Sequence, residues 1–281
     1  MIVDSQVHLW RDETPTRPWP EWGRDMVHLA DPLTFERMLL MMDTAGVDRA
    51  IIVPPSWEGD RNDYAVEAVL KHPTRFRIMG RIPLDDLRAR SVIEKWTSQP
   101  GMLGVRLTFS AGKGNWLKDG TADWFWPAAQ EASIPVMLQP LDCFNEVAQI
   151  AERYPRLKLI IDHFGINRMV VASGRTEETI LRTEALARFA NVFVKTSSAP
   201  TYSKENYPFH DMTPHIRRIF DAFGPQRCFW GSDISISFAK CSYSQRVNHF
   251  TEELPFLSGV DREWVMGRAL CECLGWPLVS I

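Results

Sequence analysis

The chain has 281 residues, a formal charge of −3 from 32 Lys and Arg against 35 Asp and Glu, and a hydrophobic share of 45%. These values exclude a disordered or fibrous chain, and a near-neutral charge without a basic stripe argues against nucleic acid as a partner. The length suits one α/β barrel of roughly 250 residues, so we predict a single domain over residues 1–281.

Eight short runs of apolar and β-branched residues recur along the chain. Most of them are nearly continuous, which is the pattern of parallel strands covered on both faces. We predict strands at residues 1–8, 49–54, 75–81, 104–109, 134–139, 157–163, 191–196 and 227–231.

Amphipathic segments separate these runs and predict helices. The first should begin after Asp31 and Pro32, a capping residue followed by a proline suited to the first turn, and should end at Gly46. The alternation predicts a single (β/α)8 TIM barrel. A doubly wound open sheet is the alternative, but it would need a glycine-rich G-x-G-x-x-G turn, which the sequence lacks. The predicted helices are 33–45, 63–71, 86–99, 122–132, 143–152, 177–189, 213–223, 243–254 and 262–274.

Two predicted loops exceed the usual length, one at residues 10–30 after the first strand and one at 197–211 after the seventh. Both follow the carboxyl end of a strand, which is the catalytic face of a barrel, so we expect them to form walls or lids of the pocket. Their aromatic residues, Trp10 and Tyr202 among them, would offer a ring-stacking surface. The alternative is that these loops cover the barrel end without touching a ligand.

The sequence also predicts where the protein resides. No apolar run approaches the ~20 residues that span a bilayer, and no secretory signal opens the chain. Five scattered cysteines without a CxxC pair suggest reduced thiols. We therefore expect a cytoplasmic protein without a membrane partner, and the sequence leaves a homo-oligomer open.

Polar residues gather where the predicted strands end. Asp4, Gln6 and His8 alternate along the first strand and should share its inner face. His163 closes the sixth strand, and Asp233 follows the eighth. A row of polar side chains facing inward is costly unless it meets water, a metal or a substrate. These strand ends are therefore the predicted active site.

Seven short motifs in this order resemble the amidohydrolase superfamily, in the branch often called amidohydrolase 2. The resemblance implies a (β/α)8 barrel with hydrolytic or decarboxylating chemistry at its C-terminal face. It points most closely to lactonases that act on sugar lactones and on carboxylated pyrone or muconolactone rings. The motifs are VDSQVHLW (3–10), GVDRA (46–50), HPTRF (72–76), GVRL (104–107), DHFG (162–165), NVFVK (191–195) and GSD (231–233).

The sequence departs from the family pattern at two positions. The family's His-x-His becomes Gln6-x-His8, and the fifth strand supplies Gln139 where a ligand is common. His8, His163 and Asp233 could still hold one Zn²⁺ or Mn²⁺ with water. Because amide oxygens are poor zinc ligands, we favour a site without metal or other cofactor.

This preference predicts a mechanism for lactone hydrolysis. Asp233 would act as the general base toward water, while His8 and His163 would donate hydrogen bonds to the carbonyl oxygen. Gln6 could donate to the same oxygen. The alternatives are a metal-dependent decarboxylase or amide or ester hydrolase of the superfamily, and a barrel that has lost catalysis and only binds a small acid.

Three cations predict the charge of the substrate. Arg81, Arg106 and Lys195 lie in or at the ends of strands and face no obvious internal acid, so we expect an anionic substrate. The alternative is that they form ordinary salt bridges. The predicted substrate-binding residues are Gln6, Trp10, Ser56, Arg81, Arg106, Gln139, Lys195 and Tyr202.

Overall fold

The computed structural model describes residues 1–86, 88–109 and 115–278, and these form an eight-stranded parallel barrel. Each strand pairs with the next in chain order, and helices lie between them. The predicted (β/α)8 barrel is therefore confirmed, and every predicted strand overlaps an observed one. The strands are β1 (Val3–Val7), β2 (Arg49–Ile52), β3 (Phe76–Gly80), β4 (Met102–Leu107), β5 (Val136–Leu138), β6 (Leu159–Ile161), β7 (Val192–Ser197) and β8 (Cys228–Gly231).

Most helices lie outside this barrel, and each predicted helix overlaps an observed one, but the helices at residues 168–172 and 199–202 were not predicted. They are α1 (Phe35–Ala45), α2 (Asp63–Lys71), α3 (Ala89–Val92), α4 (Phe125–Glu131), α5 (Phe144–Arg153), α6 (Arg168–Ala172), α7 (Thr176–Glu184), α8 (Ala199–Tyr202), α9 (Thr213–Phe223), α10 (Tyr243–Thr251), α11 (Gly259–Glu263) and α12 (Ala269–Leu274). Short 3-10 segments extend several of them, and a π segment at Trp264–Arg268 joins α11 to α12. The last predicted helix therefore begins earlier than expected and is interrupted.

The first helix shows where capping chemistry overrides the predicted boundary. Its N-cap is Thr34, whose hydroxyl accepts a hydrogen bond from the backbone N–H of Arg37 at 3.3 Å, so the predicted cap at Asp31 is wrong. The predicted end is correct, because Gly46 adopts the left-handed conformation with φ of 70°.

The core has two layers that follow from the alternation of side chains along each strand. Inside the barrel, Val3, Ile51, Met79, Ile160 and Phe229 pack together with α12, which closes the N-terminal end. A larger cluster lies between the strands and the outer helices. The carboxyl ends of the strands are left to carry polar side chains.

A β-bulge in β1 changes the predicted inner face of this strand. Asp4 pairs with Ala50 and Val7 pairs with Ile52, so β1 has one more residue than β2 between these two pairs. The extra residue turns Asp4 outward, where its carboxylate accepts hydrogen bonds from the Tyr243 hydroxyl at 2.8 Å and the backbone N–H of Ser232 at 2.9 Å. The prediction that Asp4 shares a face with Gln6 and His8 is therefore wrong.

The same region closes the barrel between its first and last strands. Besides the Asp4 contacts, the backbone N–H of Asp233 donates to the carbonyl oxygen of Gln6 at 3.0 Å. This places the residue that follows β8 directly beside the end of β1.

Both long loops lie at the C-terminal face, as predicted. Residues 8–34 follow β1 and contain a 3-10 helix at Glu21–Met26, and residues 198–212 follow β7 and contain α8. Within the described ranges, no helix has the length and apolar character needed to cross a membrane.

Candidate active site

Four predicted site residues meet at the C-terminal end of the barrel. His8 follows β1, His163 follows β6, and Asp233 follows β8, while Gln6 lies at the end of β1. Nε2 of His8 lies 3.3 Å from Oδ1 of Asp233, and Nε2 of His163 lies 3.7 Å from Oδ2. The amide nitrogen of Gln6 lies 3.2 Å from the first imidazole Nε2 and 3.3 Å from the second. All four side chains are buried.

The orientation of the Gln6 amide follows from its neighbours. Its oxygen contacts the ammonium of Lys195, which can only donate. The amide NH2 group must therefore face the two imidazoles, with one N–H for each ring. Contact with a substrate carbonyl, predicted for Gln6, would require one of these hydrogens to be released.

The imidazole tautomers are also fixed by their partners. Nδ1 of His8 lies 2.7 Å from the carbonyl oxygen of Val53, which accepts and cannot donate, so this ring carries a proton on Nδ1. Nδ1 of His163 lies 2.7 Å from the hydroxyl of Ser197 and 3.1 Å from that of Ser198. Burial lowers the pKa of His163 to about 4, so this ring is neutral near pH 7. The Ser198 hydroxyl donates its proton to Asp233 and can therefore only accept from Nδ1 of His163. With the proton of each ring on Nδ1, the Nε2 atoms can accept from Gln6.

Asp233 is held ionised with one oxygen left for another partner. Burial alone would raise its pKa, but the close contact with His8 and the other adjacent imidazoles hold the pKa well below its usual range. Oδ2 accepts a hydrogen bond from the Ser198 hydroxyl at 2.6 Å. Oδ1 lies 3.3 Å from Nε2 of His8 and has no hydrogen-bond partner among the described residues. A buried carboxylate with a free oxygen is poised to bind water.

An internal acid that the sequence analysis missed binds two of the three predicted cations. Asp162 accepts a hydrogen bond from Nε of Arg106 at 3.0 Å, and its Oδ1 lies 2.5 Å from the ammonium of Lys195. These cations hold the pKa of Asp162 far below its usual range against the effect of burial. The expectation that the cations face no internal acid is therefore wrong. The signal was available, because Asp162 lies two residues after the inward-facing Ile160.

Lys195 has no exposed surface, and its remaining donors face Gln6 and the sulfur of Met137 at 3.4 Å. Burial lowers its pKa, although Asp162 opposes this effect. The direct substrate contact predicted for Lys195 stays a prediction that this burial does not favour.

Arg81 and Ser56 line a cavity of about 200 Å³ at the mouth of the barrel. The guanidinium of Arg81 donates to the Thr108 hydroxyl at 2.7 Å and lies 3.6 Å from Asp60, and burial lowers its pKa to about 10. It remains a cation near pH 7. Arg106 also contacts the hydroxyl of Thr108, so the two guanidinium groups converge on this side of the site. The cavity is lined by Pro20, Trp22, Ser56, Gly59, Asp60, Arg81 and Thr108.

The aromatic residues are arranged differently from the prediction. Trp10 is only 1% exposed and packs edge to face on Trp57, which in turn packs on His8. Tyr202 packs edge to face on His163 at 6.5 Å between ring centres. Both side chains are buried, so the substrate contacts predicted for Trp10 and Tyr202 stay predictions that burial does not favour. Gln139 donates a hydrogen bond to the carbonyl oxygen of Ile166 at 2.6 Å, which ties it to the segment after β6.

His28 is a site residue that the sequence analysis did not select. The loop after β1 brings its ring to 4.5 Å from Trp57 and 5.8 Å from His8, measured between ring centres. Its Nδ1 lies 2.8 Å from the hydroxyl of Ser235, in the segment after β8. Burial lowers its pKa to about 4. No periodic pattern marks a loop residue of this kind.

The donor set does not suit a divalent metal as it is arranged. A cation bound by His8 and His163 would need both Nε2 lone pairs, and the Gln6 amide lies within hydrogen-bond distance of both. No group of three His, Cys, Asp or Glu residues with a metal-binding arrangement occurs in residues 1–86, 88–109 and 115–278.

Known proteins resemble this chain along most of its length. The sequence profile of the amidohydrolase family matches residues 3–269. An L-fucono-1,5-lactonase of Burkholderia ambifaria is 25% identical over 84% of this chain and 80% of its own length. A 4-sulfomuconolactone hydrolase of Hydrogenophaga intermedia is 27% identical over 82% of this chain and 73% of its own length. The crystal structure of an amidohydrolase from Burkholderia multivorans with bound zinc covers 99% of this chain with a TM-score of 0.80 and 19% identity, and all of that chain is aligned.

Proposed function

Because this chain belongs to the amidohydrolase family, we propose that it is a hydrolase that opens a lactone of a small carboxylated substrate. The single observation that carries the proposal is the buried, ionised Asp233 carboxylate, whose Oδ1 has no hydrogen-bond partner among the described residues and which lies beside two imidazoles at the catalytic face. The relatives named as lactonase and lactone hydrolase support the same reaction.

In the proposed reaction, Asp233 takes a proton from a water molecule as its oxygen attacks the lactone carbonyl carbon. The Ser198 hydrogen bond holds Oδ2 and leaves Oδ1 for that water. The proton passes to Nε2 of His8, 3.3 Å away, and the charged ring stabilises the oxyanion. When the ring C–O bond breaks, the leaving oxygen takes the proton back, and the product is a hydroxy acid. Each step uses only groups of this chain.

The cations beside the pocket support a carboxylate on the substrate. Arg81 lines the cavity, and the guanidinium of Arg106 shares the Thr108 hydroxyl with it. Arg106 retains donors beyond the Nε that binds Asp162. A guanidinium group binds a carboxylate through paired hydrogen bonds, so these residues would orient an anionic lactone above Asp233.

We further propose that hydrolysis needs no bound metal. Solved members of this fold include one with bound zinc, so the point requires a direct test. The support for the proposal is the Gln6 amide, which uses the imidazole lone pairs that a metal would require.

The test is hydrolysis of the anionic 4-sulfomuconolactone, with the neutral L-fucono-1,5-lactone and δ-valerolactone for comparison. Acid release is followed with a pH indicator, before and after dialysis against EDTA, beside metal analysis of the purified protein. We expect an anionic lactone to be opened at the same rate after chelation. Loss of activity that zinc restores would overturn the metal-free proposal. Release of carbon dioxide from an aromatic acid, without hydrolysis of any lactone, would favour a decarboxylase instead.

A further inference from the structure

The ammonium of Lys195 is fully buried, and its contacts are all with other side chains. Its three donors face Asp162, Gln6 and the sulfur of Met137, and its side chain has no exposed surface. Burying a charge is costly unless its hydrogen-bonding capacity is used, and here it is used completely. A residue held in this way acts on the site through its neighbours.

Gln6 is the neighbour through which Lys195 can affect the site. An amide side chain can rotate by about 180° and exchange its oxygen and nitrogen without changing its shape. Its oxygen and nitrogen ends occupy the same volume, and only the partners decide which end faces which way. On one side lies an ammonium that only donates. On the other side lie two imidazole Nε2 atoms whose Nδ1 partners leave them as acceptors.

We propose that Lys195 is a positioning residue that acts through Gln6. The ammonium holds the amide oxygen, and this turns the amide nitrogen between His8 and His163, where it holds both rings as hydrogen-bond acceptors beside Asp233. The amide nitrogen thus links the two rings at 3.2 Å and 3.3 Å. Without the ammonium the amide could turn over, and its oxygen would then face the two lone pairs and push the rings away from Asp233.

The inference rests on the proposed function only in its kinetic part, and its structural part can be tested without a substrate. The measurement is the ¹⁵N resonances of the imidazole rings in protein labelled at histidine, assigned with the His8→Gln and His163→Gln variants. In the wild type we expect both rings to be protonated at Nδ1, with Nε2 resonances at the position of an accepting nitrogen.

Two variants interrupt, at different residues, the hydrogen bonds that run from Lys195 through Gln6 to the two imidazoles. Gln6→Met removes the amide at similar volume. Lys195→Met removes the ammonium and leaves Asp162 paired with Arg106, so no buried charge is left without a partner of opposite sign. In both variants we expect the ¹⁵N resonances of the two Nε2 atoms to move toward the position of a nitrogen that accepts no hydrogen bond. The matched control is Thr196→Val. Thr196 is the buried neighbour of Lys195 on β7, and its hydroxyl donates to the Phe229 carbonyl oxygen at 3.2 Å. In this variant the imidazole resonances of His8 and His163 should not move.

The kinetic part separates a positioning role from substrate binding. With a lactone that the wild type opens, both variants should lower kcat by about tenfold or more, the equivalent of one lost hydrogen bond, and leave KM unchanged. Wild-type rings protonated at Nε2, unchanged Nε2 resonances in the Lys195 variant, or a change confined to KM would each overturn the inference. If no lactone is opened, the resonances still decide it.

Discussion

The ammonium of Lys195 lies 2.5 Å from Oδ1 of Asp162, and neither side chain has any exposed surface. Removing one charge of such a pair leaves the other buried and uncompensated. We therefore expect Asp162→Asn to lower the free energy of unfolding by about 3–5 kcal/mol, measured by urea denaturation. Glu272→Gln is the matched control, because its ion pair with Arg268 at 2.9 Å is exposed and should contribute less than about 1 kcal/mol. Equal losses in the two variants would contradict the prediction.

Asp233→Asn tests the proposed base. The amide keeps the size of the carboxylate and can still accept from Ser198, but it cannot take a proton from water. We expect kcat to fall by about 10²–10⁴-fold while the melting temperature stays nearly unchanged. Ser198→Ala should lose less activity, since it removes one hydrogen bond and leaves the base. Near-normal hydrolysis by Asp233→Asn would exclude this residue as the base.

Arg81→Gln tests the proposed contact with a substrate carboxylate. The side chain lines the cavity, and the shorter glutamine removes the charge while keeping a polar group. We expect KM for an anionic lactone to rise by about 10–100-fold, the equivalent of a charged hydrogen bond, with little change for a neutral lactone. Arg75→Gln is the control, because Arg75 precedes β3 at the opposite end of the barrel and binds the carbonyl oxygen of Asp48. An equal effect on charged and neutral lactones would remove Arg81 from the binding site.

Acid sensitivity should depend in part on His249. Its ring is 1% exposed, and burial lowers its pKa to about 4, below the value near 6.5 of an unfolded chain. The unfolded chain therefore binds the proton first as the pH falls. The contribution of His249 is fully present above pH 6.5 and is lost between about pH 6.5 and 4, by up to about 1.4 kcal/mol for each pH unit.

The measurement is the melting temperature over this pH interval for the wild type, His249→Phe and the control His215→Gln. The phenylalanine suits a site already in contact with Phe209 and Phe250, and it cannot be protonated. We expect it to flatten the pH dependence relative to the wild type, whereas the more exposed His215 should not. An unchanged slope in His249→Phe would contradict the assignment.

Gly231→Ala tests the tight packing where β8 meets β1. A Cβ atom at this position would lie 2.4 Å from the hydroxyl oxygen of Ser5 and 3.1 Å from Cβ of Ser197. We expect a loss of about 1–3 kcal/mol in the free energy of unfolding. The double variant with Ser5→Ala should recover part of the loss, because it removes the nearest atom. No recovery would mean that another contact causes the strain.

The sequence predicted the barrel well because both faces of each strand are covered, which leaves a clear apolar run for each strand. The same reasoning placed Gln6, His8, His163 and Asp233 at one end of the barrel. It failed for Asp4, since a bulge depends on the pairing of two strands and not on either strand alone.

The electrostatic partners were harder to predict. The residues that bind the cations are distant in sequence, as with Arg106 and Asp162, and spacing along the chain does not reveal which charge meets which. The position of His28 beside His8 could not be predicted either, because a long loop carries no periodicity that fixes where its side chains point.

The contact that closes the barrel also determines when the chain can first become active. Gln6 and His8 leave the ribosome early, and Asp233 follows near the end of synthesis. The backbone hydrogen bond from Asp233 to Gln6 is the contact that holds Asp233 beside the two earlier residues. A nascent chain or a fragment that ends before β8 would therefore hold the imidazoles without the proposed base. Catalytic activity then depends on a closed barrel. A variant in which β8 joins β1 slowly would gain activity only at the rate of that closure.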